Sequence, residues 1–344
     1  MNGVAVEAAI KECESTFGVM RIKRWQFVVG GIVLAAVVGL LTVSLHQRAS
    51  PTQESMAVPQ NNPTAQERKE VLDDTHDAMA QDNLPNRTDG MDTPTDAAVT
   101  VPIVMYHGLI EDPQRQNRYM IDPAYFEQDL QYLTDNGYHT IVIQDLLDYF
   151  DKGTPLPDRP IMLTFDDGYY NNYLYAYPLL QRYHCRAVLS PIGSEAVKAV
   201  EEIRRHANYS QCTWAELAEM AASGCIELQN HTYALHRLEE GRRGAGRKSG
   251  ESDEDYIRLL QDDLQQFNAV MQEATGQVPL CFTCPFGEKN DTMLSVIREM
   301  GFRAMMDCEE KPNVLTSVED LYHLHRYLRP NEESSETFFA RLLS

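Results

Sequence analysis

Basic residues are in short supply in this 344-residue chain: 30 Lys and Arg stand against 51 Asp and Glu, a formal net charge of −21. That balance excludes a nucleic-acid partner, which needs a basic footprint, and gives no support for binding anionic wall polymers. Apolar residues are scarce over residues 46–99, where Pro, Gln, Asn, Thr and Asp dominate. Such a stretch cannot bury a core and reads as a disordered linker, made acidic by Asp73, Asp74, Asp77, Asp82, Asp89 and Asp92. A flexible coil of about 50 residues has an end-to-end distance of roughly 40 Å. Cysteines show no pattern that fixes pairs. Six of them (Cys185, Cys212, Cys225, Cys281, Cys284 and Cys308) lie beyond the linker and Cys13 before it. Cys281-x-x-Cys284 falls in an expected strand, where the two side chains point to opposite faces, so both read as packing residues rather than a redox pair.

A long uncharged apolar run occurs in one place, residues 25–45. At about 20 residues it is long enough to cross a bilayer. Arg21, Lys23 and Arg24 precede it, which keeps the N-terminus cytoplasmic. No clear small-x-small cleavage site follows, and the run starts well inside the chain, so it reads as an uncleaved signal-anchor. The expected organisation is a cytoplasmic segment 1–24, a transmembrane span 25–45, the linker 46–99 and an extracytoplasmic domain 100–344 at the cell membrane.

Within that domain apolar strand candidates alternate with amphipathic helices. Strands are expected at 103–106, 140–143, 161–165, 187–189, 226–228 and 280–283, and helices at 125–135, 214–223, 255–275 and 291–300. The alternation predicts a parallel α/β sheet.

The most informative residues are Thr164-Phe165-Asp166-Asp167-Gly168, which follow the apolar run Pro160-Ile161-Met162-Leu163. Neighbouring side chains of a strand point to opposite faces. Both carboxylates therefore face one cleft only if the backbone bends, and Gly168 permits the bend. Two close carboxylates repel and raise one pKa unless a cation takes up one of them. This pattern suggests one metal-binding aspartate and one free base. His231 and His236 follow a second apolar segment, Cys225-Ile226-Glu227-Leu228. On a helix they would lie roughly 140° apart, so a loop at a strand end is the arrangement that brings both imidazoles to one ion. Together with Asp167 they would form a two-His-one-carboxylate site, suited to Zn²⁺ first, with Co²⁺, Ni²⁺ or Fe²⁺ as alternatives.

In this order the motifs resemble those of the polysaccharide deacetylases, the NodB-homology carbohydrate esterases. Thr164–Gly168 matches the first family motif, His231-Thr232 with His236 the second, and Pro285-Phe286-Gly287 the third. The resemblance runs from Val101 to about Pro330. It implies a distorted (β/α)₇ barrel, with Asp166 as general base, Asp167, His231 and His236 as metal ligands, and the Phe286 N–H, beside Pro285, as oxyanion donor. The histidines stand five apart rather than the more common four, which resembles the circularly permuted branch acting on poly-N-acetylglucosamine-like polymers. There the leucine-x-histidine motif moves to the first strand, where Met105-Tyr106-His107 fits, and His107 is the expected general acid. His323 and His325 are its rivals. The third motif departs from the family pattern: Thr283 occupies the position of an arginine that orients the base, so another residue must orient Asp166, or metal and burial alone set its pKa. The resemblance implies hydrolysis of acetyl groups from an N-acetylated polysaccharide, releasing acetate. Alternatives are a catalytically weak glycan-binding relative and an O-acetyl esterase. No obligate protein partner is expected. The Gly/Arg-rich stretch 241–250 is expected as a loop rimming the cleft, mobile and touching substrate, or else as plain solvated surface.

Overall fold

A computed structural model of the chain describes residues 98–239 and 241–343. The segment 1–24, the apolar run 25–45 and the expected linker 46–99 up to residue 97 lie outside the described residues, and Val99, expected as linker, already pairs with Leu315. Among the described residues, no helix is long and apolar enough to cross a membrane.

Eight strands carry the fold: β1 Ile103–Tyr106, β2 His139–Ile141, β3 Pro160–Asp167, β4 Ala187–Pro191, β5 Ile226–Leu228, β6 Cys281–Thr283, β7 Ala304–Met306 and β8 Tyr327–Leu328. Helices α1 Pro123–Asp135, α2 Ile143–Lys152, α3 Tyr177–Arg182, α4 Gly193–Lys198, α5 Trp214–Ala222, α6 Asp253–Thr275 and α7 Asp291–Glu299 fill the connections, and α8 Ser335–Leu342 follows the last strand. All pairings among the eight strands are parallel. β8 pairs β1, β1 pairs β3, β3 pairs β4, β4 pairs β5, and β6 pairs β7. Parallel bridges Asn230↔Phe282 and Met306↔Leu324 close the gaps. The result is a ring of seven strand positions, with β2 paired to the lower half of β3. The expected α/β barrel is what forms.

The local sequence explains the elements. Strands buried on both faces read as continuous apolar runs, and β1, β4 and β6 are buried throughout. Helix α6 starts where Ser252 Oγ accepts the Asp255 N–H, carries three acids in its first turn, and stops at left-handed Gly276. Its buried stripe is Tyr256, Leu260, Asp263, Leu264, Phe267 and Met271, the spacing of one helix face. One carboxylate in that stripe is out of character.

Strand alternation sorts the core into layers. Ile103, Met162, Val188, Cys281 and Ala304 share the cluster inside the ring. Val104, Leu163, Phe165, Ala187 and Leu189 pack outward in a separate cluster with α1, α3 and α5. On β3 the inward series Met162, Thr164 therefore continues to Asp166. Below the mouth, Ser190 and Thr283 hydrogen-bond across the interior at 2.7 Å. Outside the ring, Arg329 makes two bonds to buried Asp129 of α1, 2.9 and 3.0 Å, and Tyr106 donates to the same carboxylate at 2.9 Å. This clamp holds α1 against the ends of β1 and β8.

Two expectations need correction in detail. The strand expected at 161–165 extends through both aspartates, and the one expected at 140–143 stops at Ile141 because Ile143 begins α2. Strand β7 was not expected at all.

Candidate active site

The carboxyl ends of β1, β3, β6, β7 and β8, together with the loop after β5, open into one cavity of ≈ 580 Å³. It is lined by residues including His107, Asp166, Asp167, His231, His236 and Phe286. That is where parallel barrels collect their chemistry.

The two aspartates separate through backbone geometry. Asp166 follows the inward alternation. Asp167 would fall outward, but its φ is +69°, in the left-handed region that few non-glycine residues adopt. Gly168 continues the bend at φ +77°, and a Cβ there would lie 2.6 Å from Pro191 Cβ. The bend expected at Gly168 thus begins one residue earlier, on the aspartate itself.

Arg326 meets Asp166 in a bidentate pair, Nη1 to Oδ1 at 2.7 Å and Nη2 to Oδ2 at 2.8 Å. Both side chains are buried inside the ring. The guanidinium is held in turn by the Asp307 carbonyl at 2.8 Å and shares a 3.2 Å contact with Thr164 Oγ1. Burial alone would raise the Asp166 pKa; the Arg326 charge, joined by the His231 imidazole, outweighs it and holds the carboxyl below its usual range. Arg326 supplies the charge that Thr283 lacks. The signal in the sequence is faint: Arg326 stands between buried Leu324 and the last strand, and an arginine buried there needs a carboxylate partner.

Asp167, His231 and His236 converge. Their ligand atoms lie within 4.8 Å of one another. Asp167 Oδ1 is 3.6 Å from His231 Nε2 and 3.4 Å from His236 Nε2. That oxygen is buried and makes no hydrogen bond, a cost that a cation between the three atoms would remove. Burial would raise Asp167 as well, but the surrounding imidazoles depress it far below the ordinary carboxylate range. His231 Nδ1 lies 2.7 Å from the Thr283 carbonyl. A carbonyl only accepts, so Nδ1 carries the proton and Nε2 presents a lone pair to the site. Burial lowers the His236 pKa, with the His231 charge acting in the same direction. The residues present fit a divalent metal.

The loop carrying both histidines is fixed from behind. Asp263, the misfit carboxylate of α6, accepts the N–H groups of Tyr233 and Ala234 at 2.7 and 2.8 Å. Asn230 Oδ1 accepts the Thr232 N–H at 2.7 Å, and Thr232 takes φ +71°. Both supports were missed in the sequence, where Asp263 on an apolar stripe was the available signal.

His107 lines the cavity, and its Nδ1 is buried without a hydrogen-bond partner among the described residues. Burial lowers its pKa, opposed by the charges of Asp166 and Asp167. The rivals sit elsewhere: His323 is exposed, and His325 is turned to Asp307 at 3.0 Å. Asp307, Glu309 and His325 form a second cluster of metal-type donors, but the Lys289 ammonium already bridges its two carboxylates. Phe286 lies on the wall at φ +57°, its ring 4.5 Å from that of His236. Pro285 is buried, does not line the cavity, and packs where a Gly244 side chain would be. The stretch 241–250 is pinned: Arg242 is buried and bonded to Glu251 and the Gly246 carbonyl, while Tyr256 donates to the Ala245 carbonyl. Arg243 alone of that stretch reaches the cavity. Cys281 and Cys284 are free thiols in separate core clusters, and Cys308 is the cysteine on the cavity wall.

A family model described as polysaccharide deacetylase matches residues 153–305. The chain is 24% identical over 256 residues to the poly-beta-1,6-N-acetyl-D-glucosamine N-deacetylase of Escherichia coli (strain K12), covering 68% of this chain and 37% of that one. It is 26% identical to the protein of the same description from Staphylococcus aureus (strain COL), covering 64% and 75%. The chain thus spans little more than a third of the Escherichia coli relative. A solved structure described as a de-N-acetylase from Aggregatibacter actinomycetemcomitans superposes with TM-score 0.60 at 24% identity, covering 70% of this chain and 99% of that one, and shares its fold. The motif residues gather at one barrel mouth, and over residues 153–305, which hold all three motifs, the chain is similar to the polysaccharide deacetylases.

Proposed function

We propose that the protein is a divalent-metal-dependent N-deacetylase of an N-acetylated polysaccharide, with a polymer of N-acetylglucosamine as the favoured substrate class. The observation that carries this reading is the division of labour between adjacent carboxylates: Asp166 is locked on Arg326, and Asp167 is left with a bare oxygen facing two imidazole nitrogens. The names of the relatives support the substrate class.

Asp167, His231 and His236 would hold the cation. The chemistry it supplies when bound is Lewis acidity and a more acidic water. Asp166 stays ionised beside Arg326 and accepts the proton of the attacking water. The Phe286 N–H donates to the acetyl oxygen as negative charge develops there. His107 then delivers a proton to the departing sugar nitrogen, which leaves poorly as an anion. Acetate and a glucosamine unit result. Arg326 answers one of the two arguments for a catalytically weak relative, the missing arginine at Thr283, while the convergence of Asp167, His231 and His236 speaks against the other, the altered histidine spacing.

The run 25–45 is proposed to anchor the chain in the cell membrane with its catalytic domain outside. The test is acetate release by the full-length chain in detergent, with and without added metal, from poly-N-acetylglucosamine, chitooligosaccharide, peptidoglycan and acetylxylan. Release from an N-acetylated polymer that stops on chelation and in Asp166→Asn supports the reading. No release from any polymer with metal present refutes it. Recovery of the chain in the soluble fraction without detergent would refute the anchor.

A further inference from the structure

Two residues on the cavity wall, Arg118 and Tyr119, take no part in the steps above. Tyr119 is 44% exposed, yet its backbone is fixed. Its carbonyl accepts the Gly108 N–H at 3.1 Å, and its own N–H donates to Asn117 Oδ1 at 2.9 Å. The next two residues, Met120 and Ile121, pair in parallel with Gly108 and Leu109. A Cβ at Gly108 would lie 2.3 Å from Met120 Sδ, so glycine there is what lets this segment lie against the end of β1. The Tyr119 ring stands 4.9 Å from the His107 ring, inclined at 63°. The Arg118 guanidinium lies 5.1 Å from the Tyr119 centroid and has no carboxylate partner among the described residues. Elsewhere on the wall, Arg243 is 3.6 Å from Glu288 and Glu310 is 3.5 Å from Arg341.

We propose that Arg118 and Tyr119 form a subsite for the sugar ring adjoining the one that reacts, and that this subsite takes a ring whose own nitrogen is still acetylated. The proposal rests on the deacetylase reading of the same cavity. An aromatic ring held by its backbone binds the C–H face of a pyranose at little entropic cost. Its place against His107 puts the subsite on the side where the sugar nitrogen departs. The cavity is far larger than one acetamido group requires, leaving room for a second ring. Arg118 is uncompensated, so it repels the ammonium of a deacetylated neighbour and tolerates a neutral acetamide. Deacetylation next to a previous product is then disfavoured, and free amines become spaced along the polymer.

The experiment compares the full-length wild type with Tyr119→Ala and Arg118→Gln in detergent with metal. The substrates are an N-acetylglucosamine tetramer, tetramers carrying one glucosamine, and 4-nitrophenyl acetate, which has no adjoining sugar. Tyr119→Ala should lower kcat/KM on the acetylated tetramer about tenfold and leave the aryl ester within about twofold. Arg118→Gln should shrink the preference for the fully acetylated tetramer. Equal losses on tetramer and aryl ester, no loss on the tetramer, or an unchanged preference in Arg118→Gln would each overturn the subsite. If the wild type releases no acetate from either substrate, the deacetylase reading fails. Calorimetric binding of the tetramer then decides the subsite: weaker binding by Tyr119→Ala upholds it, and equal or absent binding overturns it.

Discussion

Replacing Arg326 by methionine strands a carboxylate inside the barrel. The wild-type guanidinium makes two charge-assisted bonds to Asp166 and one to the Asp307 carbonyl, and both charged side chains are almost wholly buried. Removing one partner of a buried ion pair costs about 3–5 kcal/mol, because the other is left uncompensated. Urea unfolding of the metal-free full-length protein at pH 7 should show that loss. Changing Asp166 to Asn in the same chain removes the stranded charge and should restore more than about 1 kcal/mol. The pH dependence has a definite sign. In the wild type Asp166 is held below its unfolded value, so its contribution is present above the unfolded pKa of about 3.9 and is lost as the pH falls through the folded value. Without Arg326, burial raises the folded pKa above the unfolded one. A penalty then develops as the pH rises from about 4. The gap between the two proteins is therefore wide at neutral pH and narrows in acid. In activity, the acid limb of the pH–rate profile moves upward, since Asp166 must be ionised to act as base. A loss below about 1 kcal/mol at pH 7, or a gap that does not change with pH, would refute the assignment of Arg326 as the partner that keeps Asp166 charged.

Three other changes test neighbouring parts of the site. Asp263→Ala leaves the Tyr233 and Ala234 amides without their acceptor; calorimetry should show metal affinity falling about 10–100-fold, and unchanged affinity would mean that the loop holds its shape alone. Gly168→Ala places a Cβ 2.6 Å from Pro191 Cβ at φ +77°, so the melting transition should drop by the equivalent of about 1–3 kcal/mol, and a neutral outcome would show that the turn can relax. His107→Gln should slow acetate release from an N-acetylated oligomer by about 100-fold or more while hydrolysis of an aryl acetate falls much less; equal losses would remove His107 as the proton donor.

The site was legible in the sequence to the extent that its parts are local. Asp166-Asp167-Gly168 at the end of an apolar strand and two histidines after another strand announced themselves by position, and Met105-Tyr106-His107 by its resemblance to a family motif. The ring places each at one mouth. What went unread has a common cause. Arg326 lies 160 residues from Asp166, and Thr283 and Asp263 reach the histidine loop from 52 and 30 residues away. Period tells which face a residue takes, but not which residue stands across the barrel.

The sequence by itself determined the alternating strands and helices, the caps of α6, and the residue types on which the chemistry depends, because these follow from neighbouring residues a few positions apart. The tertiary structure alone decided which of two adjacent carboxylates turns inward to a guanidinium and which is left facing the imidazoles. That choice arises from ring closure between β1 and β8, which carries Arg326 beneath Asp166, and from the left-handed turn at Asp167, which the surrounding packing holds in place.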